Sequence, residues 1–143
     1  MSQFCEIETQ FKDLKELSAA LEQMQPDWKL EITEMGLPLM GYRGDNRSIL
    51  EKSDPNYAPL CQIKISKKCV GTSSNDIGFC QNADGTISAY ISDYDKNHYN
   101  KTWLNKLKQS YNEKVLCKMA LSQRAVVKKQ VLQNGIVRLK LTY

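Results

Sequence analysis

Asn75-Asp76-Ile77-Gly78-Phe79-Cys80-Gln81-Asn82-Ala83-Asp84-Gly85-Thr86-Ile87-Ser88-Ala89-Tyr90-Ile91-Ser92-Asp93-Tyr94 is the stretch on which the fold of this chain turns. Two short strand-like runs, Ile77 to Gln81 and Thr86 to Ser92, flank Asn82-Ala83-Asp84-Gly85. An Asp-Gly pair between such runs is a strong hairpin signal, because Gly85 takes a positive φ without a steric penalty. In the second run Ile87, Ala89 and Ile91 point one way, and Thr86, Ser88, Tyr90 and Ser92 the other, which is the period of a strand. Both ends are polar, with Gly71 to Asp76 leading in and Ser92 to His98 leading out. A rigid reversal would therefore hold two polar loops at defined places.

Upstream, Phe4 to Gln10 reads as a first strand. Asp13 and Glu16 form an Asp-x-x-Glu capping signature ahead of Leu14, Leu17, Leu21 and Met24, one helical stripe that Pro26 ends. Trp28 to Met35 alternates, with Trp28, Leu30 and Ile32 on one face, until Gly36 and Pro38 break it. Leu39 to Gly44 reads as a further short strand, and Asp45 to Pro59, with its two prolines, as a loop. In Leu60 to Lys67, Cys61, Ile63 and Ile65 face inward.

Downstream, a second helix starts at an Asn cap between Asn97 and Asn100. Its stripe is Leu104, Leu107, Tyr111, Val115 and Met119, with Trp103 at the edge. Ala125 to Leu132 and Ile136 to Leu141 flank Asn134-Gly135, a second hairpin dipeptide. The order predicts one α+β domain over 1–143: two layers, a mainly antiparallel sheet with two helices packed on one face.

The chain has 143 residues, 41% of them apolar, enough for a core without staples. No run of about 18 apolar residues exists, so no membrane span is expected, and membrane association would be peripheral, through a partner. The first residues have neither the apolar stretch of a signal peptide nor the Arg/Ser enrichment of a transit peptide. The net charge of +4 is carried mostly by lysine, with Arg43, Arg47, Arg124 and Arg138 the only arginines. That balance is milder than dedicated nucleic-acid binders carry and reads as a solvated lysine surface. The five cysteines, Cys5, Cys61, Cys69, Cys80 and Cys117, form no Cys-x-x-Cys, and no His stands at a zinc spacing from them. They read as small buried hydrophobes of a reducing compartment, a cluster of Cys61, Cys69 and Cys80 being the alternative.

Catalytic groupings are sparse. His98 is the only histidine, and nothing in the sequence fixes a partner for it beyond Asp93 and Asp95 in the same loop. Neither a dinucleotide nor a P-loop glycine motif occurs. Gly71 to Asn75 is small and polar, suited to cradling an anion or simply to connecting strands. Asp93, Asp95 and Asn97 alternate like the start of a calcium loop, but His98 occupies the glycine position and no Glu follows at the twelfth. Tyr90 and Tyr94, with Tyr99 nearby, offer aromatics suited to a protein interface. The candidate binding residues are therefore Tyr42, Arg43, Asn75, Asp76, Tyr90, Asp93, Tyr94, Asp95 and His98, with no catalytic residue, metal or cofactor assigned.

Gly41-Tyr42-Arg43-Gly44, Ser73-Ser74-Asn75-Asp76-Ile77-Gly78-Phe79, and Ser92-Asp93-Tyr94-Asp95 leading to Trp103-Leu104-Asn105-Lys106-Leu107 resemble the hypothetical chloroplast reading frame thirty-five family of algal plastid genomes and cyanobacteria. The opening Met1 to Phe4 and the closing Asn134 to Leu139 are also similar to that family, so the likeness spans nearly the whole chain. It departs in the Asp45 to Pro59 loop and in its cysteines. The resemblance implies a plastid stromal or cyanobacterial setting, at or near the stromal face of the thylakoid, and carries over no catalytic residue. Together these readings give a non-enzymatic accessory protein of the photosynthetic compartment. Its partner would be a protein or photosynthetic complex, bound through the loops flanking the hairpin. The alternatives are an RNA-binding module and a small enzyme or ligand binder using Asp93, Asp95 and His98.

Overall fold

The computed structural model describes residues 2–71, 73–122, 126–131 and 137–142, the last two segments as backbone. In chain order the elements are β1 (Phe4–Glu8), α1 (Leu14–Met24), β2 (Leu30–Leu37), β3 (Cys61–Ile65), α2 (Lys67–Val70), β4 (Ile77–Gln81), β5 (Ile87–Ser92), α3 (Lys101–Ser122), β6 (Val126–Val131) and β7 (Val137–Thr142). Five strands form one antiparallel sheet in the order β1-β5-β4-β3-β2, and α1 and α3 pack together on one side of it. This is the α+β, two-layer architecture expected from the order of strands and helices.

The central reversal forms as its residues require. β4 and β5 pair from Gly78↔Tyr90 to Gln81↔Ile87, and Gly85 sits at φ 89°. The Asp84 carboxylate accepts from the Thr86 amide at 3.0 Å, and the Asn82 amide donates to the Thr86 carbonyl at 2.7 Å, closing the turn. Ile87, Ala89 and Ile91 then meet Ile63, Ile65, Ile77 and Phe79 under the helices. Each fully buried aliphatic side chain of that layer contributes about 1.5–3 kcal/mol of transfer free energy, which fixes the face on which the helices stay.

Asp13 caps α1, accepting from the Lys15 and Glu16 amides at 3.0 and 3.2 Å. The reciprocal half of the capping box is replaced. The Asp13 amide donates to the Tyr111 hydroxyl at 3.0 Å, and Glu16 reaches Lys118 instead. Asn100 caps α3 through the Trp103 amide. Leu104, Leu107 and Tyr111 are buried as expected, but Met119 is 48% exposed and Ala120 takes the buried position. Trp103 lies in the core rather than at its edge, stacked with Trp28 and Tyr99.

Other expectations are corrected. β2 does not stop before Gly36. It runs on to Leu37 through a register shift between Ile32 and Leu37, with Gly36 at φ 83°. A bulge absorbs the residue that would otherwise break the ladder. Ile32 is consequently 52% exposed and Met35 85% exposed on this terminal strand. No strand forms over 39–44, only a bridge between Met40 and Asn46. The short α2 begins at Lys67, where the sequence reading has only the end of a strand. Its cap is Ser66, whose hydroxyl accepts from the Lys68 amide. Among the described residues the last hairpin pairs only with itself, as a two-stranded sheet beside α3, and its Asn134-Gly135 turn lies outside them.

The face away from the helices is covered as well. Leu39, Arg47 and Ala58 are fully buried in the long connection after β2, and Cys61 joins Leu39 and Ala58 rather than the helix-side core. Gly78 makes this possible. A Cβ there would stand 2.7 Å from both Cys61 Sγ and Leu39 Cδ2, so only glycine lets the segment lie down. Arg47 spans the cover, donating to Asp45 at 2.6 Å and to the Asn56 carbonyl at 3.0 Å, with its guanidinium over the Phe4 ring. Ser88 and Ser92, which alternation pointed to the outer side, are fully buried beneath it.

Candidate functional site

At the end of the sheet where β1 begins and β5 ends, four surface segments converge on an open hollow of about 490 Å³ lined by Ser2, Tyr42, Ser73, Asp93 and Tyr94. The size falls within the range of small-molecule and side-chain pockets, about 300–1,000 Å³. Tyr94 is 62% exposed, and Asp93 beside it is exposed too. Arg43 stacks its guanidinium on the Tyr42 ring, 5.3 Å from the centroid. The rim therefore offers two phenols, a carboxylate and a cation.

What holds these segments is a row of buried polar side chains just before β4. Asn75 is fully buried. Its Oδ1 accepts from the Tyr42 amide at 2.8 Å and its Nδ2 donates to the Ser2 carbonyl at 3.2 Å, so one side chain ties two walls of the hollow. Asp76 accepts from the Met40 amide at 2.8 Å and the Lys67 amide at 2.6 Å, and faces Lys64 Nζ at 3.4 Å. Lys67 Nζ in turn donates to the Tyr42 carbonyl at 2.8 Å. Ser74 donates to Asp95 Oδ1 at 2.8 Å, which joins the loop before β4 to the loop after β5. The Asp93 amide donates to the Gln3 carbonyl, and the Tyr94 amide to the Ser92 hydroxyl. Buried polar groups so satisfied make a stiff frame rather than a reactive one.

Asp95 is the exception, because its Oδ2 is buried without a partner. Burial pushes its pKa above the usual carboxylate value, with the Ser74 hydroxyl and nearby His98 opposing the shift.

The nine residues singled out by sequence thus divide. Tyr42, Asp93 and Tyr94 meet at the hollow with Arg43 on its rim, while Asn75, Asp76 and Asp95 are buried beneath as supports. Tyr90 lies on the other side of β5, half-buried against Leu39, Ala58 and Cys61, and burial and Glu6 push its hydroxyl pKa upward. His98 is exposed, its ring 6.3 Å from that of Tyr99. Tyr99 is no surface aromatic but part of the Trp28 and Trp103 stack. Sequence reasoning missed Ser2, Ser73, Ser74 and Lys67 as site residues. Only the polarity of Gly71 to Asn75 hinted at Ser73 and Ser74, and nothing in the sequence pointed to Ser2 or Lys67.

A second cavity, of about 320 Å³, lies between the end of β1 and α3, with Phe11, Leu104 and Tyr111 as its floor and Lys101 and Lys108 at its mouth. Among the described residues, no group of three or more His, Cys, Asp or Glu is placed to hold a metal. Nor is any helix among them long and apolar enough to cross a membrane. Comparison with protein-family models, curated proteins and solved structures gives no match.

Proposed function

We propose that this chain is a non-enzymatic accessory protein that binds a partner protein through the hollow between the loops flanking the central hairpin. The observation that carries this reading is the convergence of Tyr42, Asp93 and Tyr94 on one open surface whose backbone is pinned from below by Asn75, Asp76 and the Ser74–Asp95 pair. Tyrosines at least partly exposed, with a neighbouring arginine, are the residue types that dominate protein interfaces, and a pre-ordered loop loses little entropy on binding. The photosynthetic setting rests on the resemblance given above, with a protein or complex at the stromal side of the thylakoid as the partner.

The RNA-binding alternative needs an open sheet face on which bases stack. Here the helices cover one face and the connection after β2 covers much of the other, and Tyr90 stands across from Glu6, whose charge would repel phosphate. The enzyme alternative needs Asp93, Asp95 and His98 as a working group, yet Asp95 is buried on Ser74 while Asp93 and His98 face solvent.

The test is affinity capture from a cyanobacterial or algal plastid lysate with the chain and its Tyr94→Ala variant. A protein identified by mass spectrometry that is recovered at least about tenfold less with the variant, at unchanged Tm, supports the reading, since an interface hot spot exceeds about 1.4 kcal/mol. Equal recovery with both chains overturns it, and RNA released by raised salt would favour the alternative.

A further inference from the structure

The covered face of the sheet holds a group that the hollow does not use. Cys61 opens β3 and Cys80 lies near the end of β4, its direct neighbour in the sheet. Cys61 is fully buried between Leu39 and Ala58, and its Sγ leans over Gly78, 2.7 Å from where a Cβ would stand. Gly78 and Cys80, two apart on one strand, share that face. Cys80 packs against the Leu39, Ala58 and Cys61 cluster, so the two thiols are neighbours on adjacent strands, and both are free. Alternative acceptors are close to each, the Pro59 carbonyl 3.6 Å from Cys61 and the Gln81 carbonyl 3.8 Å from Cys80.

We propose that Cys61 and Cys80 are an oxidisable dithiol, a modification site that closes to an internal disulfide by exchange with a small-molecule disulfide. The two thiols differ in a way that orders the steps. Cys80 is only half-buried and so reachable, whereas Cys61 is shut in. The groups facing Cys80 are Cys61 from β3, Glu6 from β1 and Tyr90 from β5, with Arg47 behind them over Phe4. The Cys61 hydrogen bond outweighs burial and the Glu6 charge and pulls the Cys80 thiol down to about 7. The same contact, together with burial, pushes Cys61 upward.

Cys80 therefore attacks first. Its thiolate takes one sulfur of the incoming disulfide, the S–S bond of the reagent breaks, and the departing thiolate leaves with the electron pair and gains a proton. With Cys80 capped, its negative charge is gone, and with it two of the three causes that held the proton on Cys61. Cys61 then attacks Cys80 Sγ, and the second thiolate it expels takes up the proton that Cys61 gives up and leaves as a thiol. The net change is a two-electron oxidation of two protein thiols and reduction of one disulfide to two thiols. The new bond closes residues 61–80 into a loop containing α2 and the Ser74, Asn75 and Asp76 supports.

The full-length chain, incubated with oxidised glutathione at neutral pH and digested without reduction, gives the readout. A Cys61–Cys80 linked peptide as the main product, with the intact chain lighter by two hydrogens at these residues, is the expected result. Cys61→Ser stops at a stable glutathione adduct on Cys80, and Cys80→Ser leaves Cys61 a free thiol. The wild-type digest alone decides the matter if either variant folds poorly. Adducts at exposed Cys117 with Cys61 and Cys80 both unreacted would overturn the proposal. So would a glutathione adduct persisting on wild-type Cys80, or links through any other cysteine.

Discussion

The buried carboxyl of Asp95 is the single side chain in the site frame that works against the fold at neutral pH. Its pKa is raised by burial, with the Ser74 hydroxyl and His98 offsetting only part of the effect. A carboxyl raised in the folded state lends its stability below the unfolded value and loses it as pH rises through the folded value. At pH 7 the charge is therefore a cost, and Oδ2 has no partner to relieve it. Asp95→Asn keeps an acceptor for Ser74 and removes the charge. The expected outcome is a higher Tm at pH 7, with the gain vanishing near pH 3, where Asp95 of the parent chain would be protonated in the folded and unfolded states alike. Thermal scans at the two pH values check it. At this scale the sequence was informative about types rather than roles. Asn75 and Asp93 look alike in a polar loop, and only the non-local meeting of Asn75 with Tyr42 and Ser2 makes one a support and leaves the other on the surface.

Among the elements, the connection after β2 depends most on a single residue it does not contain. Gly78→Ala would push a methyl to within 2.7 Å of Leu39 Cδ2 and Cys61 Sγ. Either the cover shifts or β4 does, at about 1–3 kcal/mol. The expected result is a lower Tm, with faster amide exchange confined to the region around Leu39 and Arg47 while α1 and α3 keep their protection, as hydrogen exchange followed by mass spectrometry would report. The helices and the β4–β5 hairpin were legible beforehand because their signals are local: a stripe, a cap, an Asp-Gly. The cover was not. Arg47 and its Asn56 and Phe4 contacts depend on distant segments meeting, and a charged residue in a polar loop gives no periodicity to read. Met119 and Trp103 exchanged expected places for the same reason, since neighbouring elements decide which side of α3 is covered.

Taken as a whole, the sheet is asymmetric in how its two terminal strands are finished. β1 is short, whereas β2 runs eight residues and presents Ile32 and Met35 outward. Glu31 and Glu34 interrupt that apolar run, and the irregularity at Gly36 bends its far half. A long strand end of this kind invites pairing with another chain unless charge or distortion prevents it. Replacing Glu34 with Val would extend the apolar run beside Met35 in a β-favouring stretch, and light scattering should then detect more concentration-dependent association than with the parent chain. Unchanged scattering would mean that the Gly36 bend alone suffices. On this view a kink and a carboxylate at the border of the sheet guard it against continuation by a second chain.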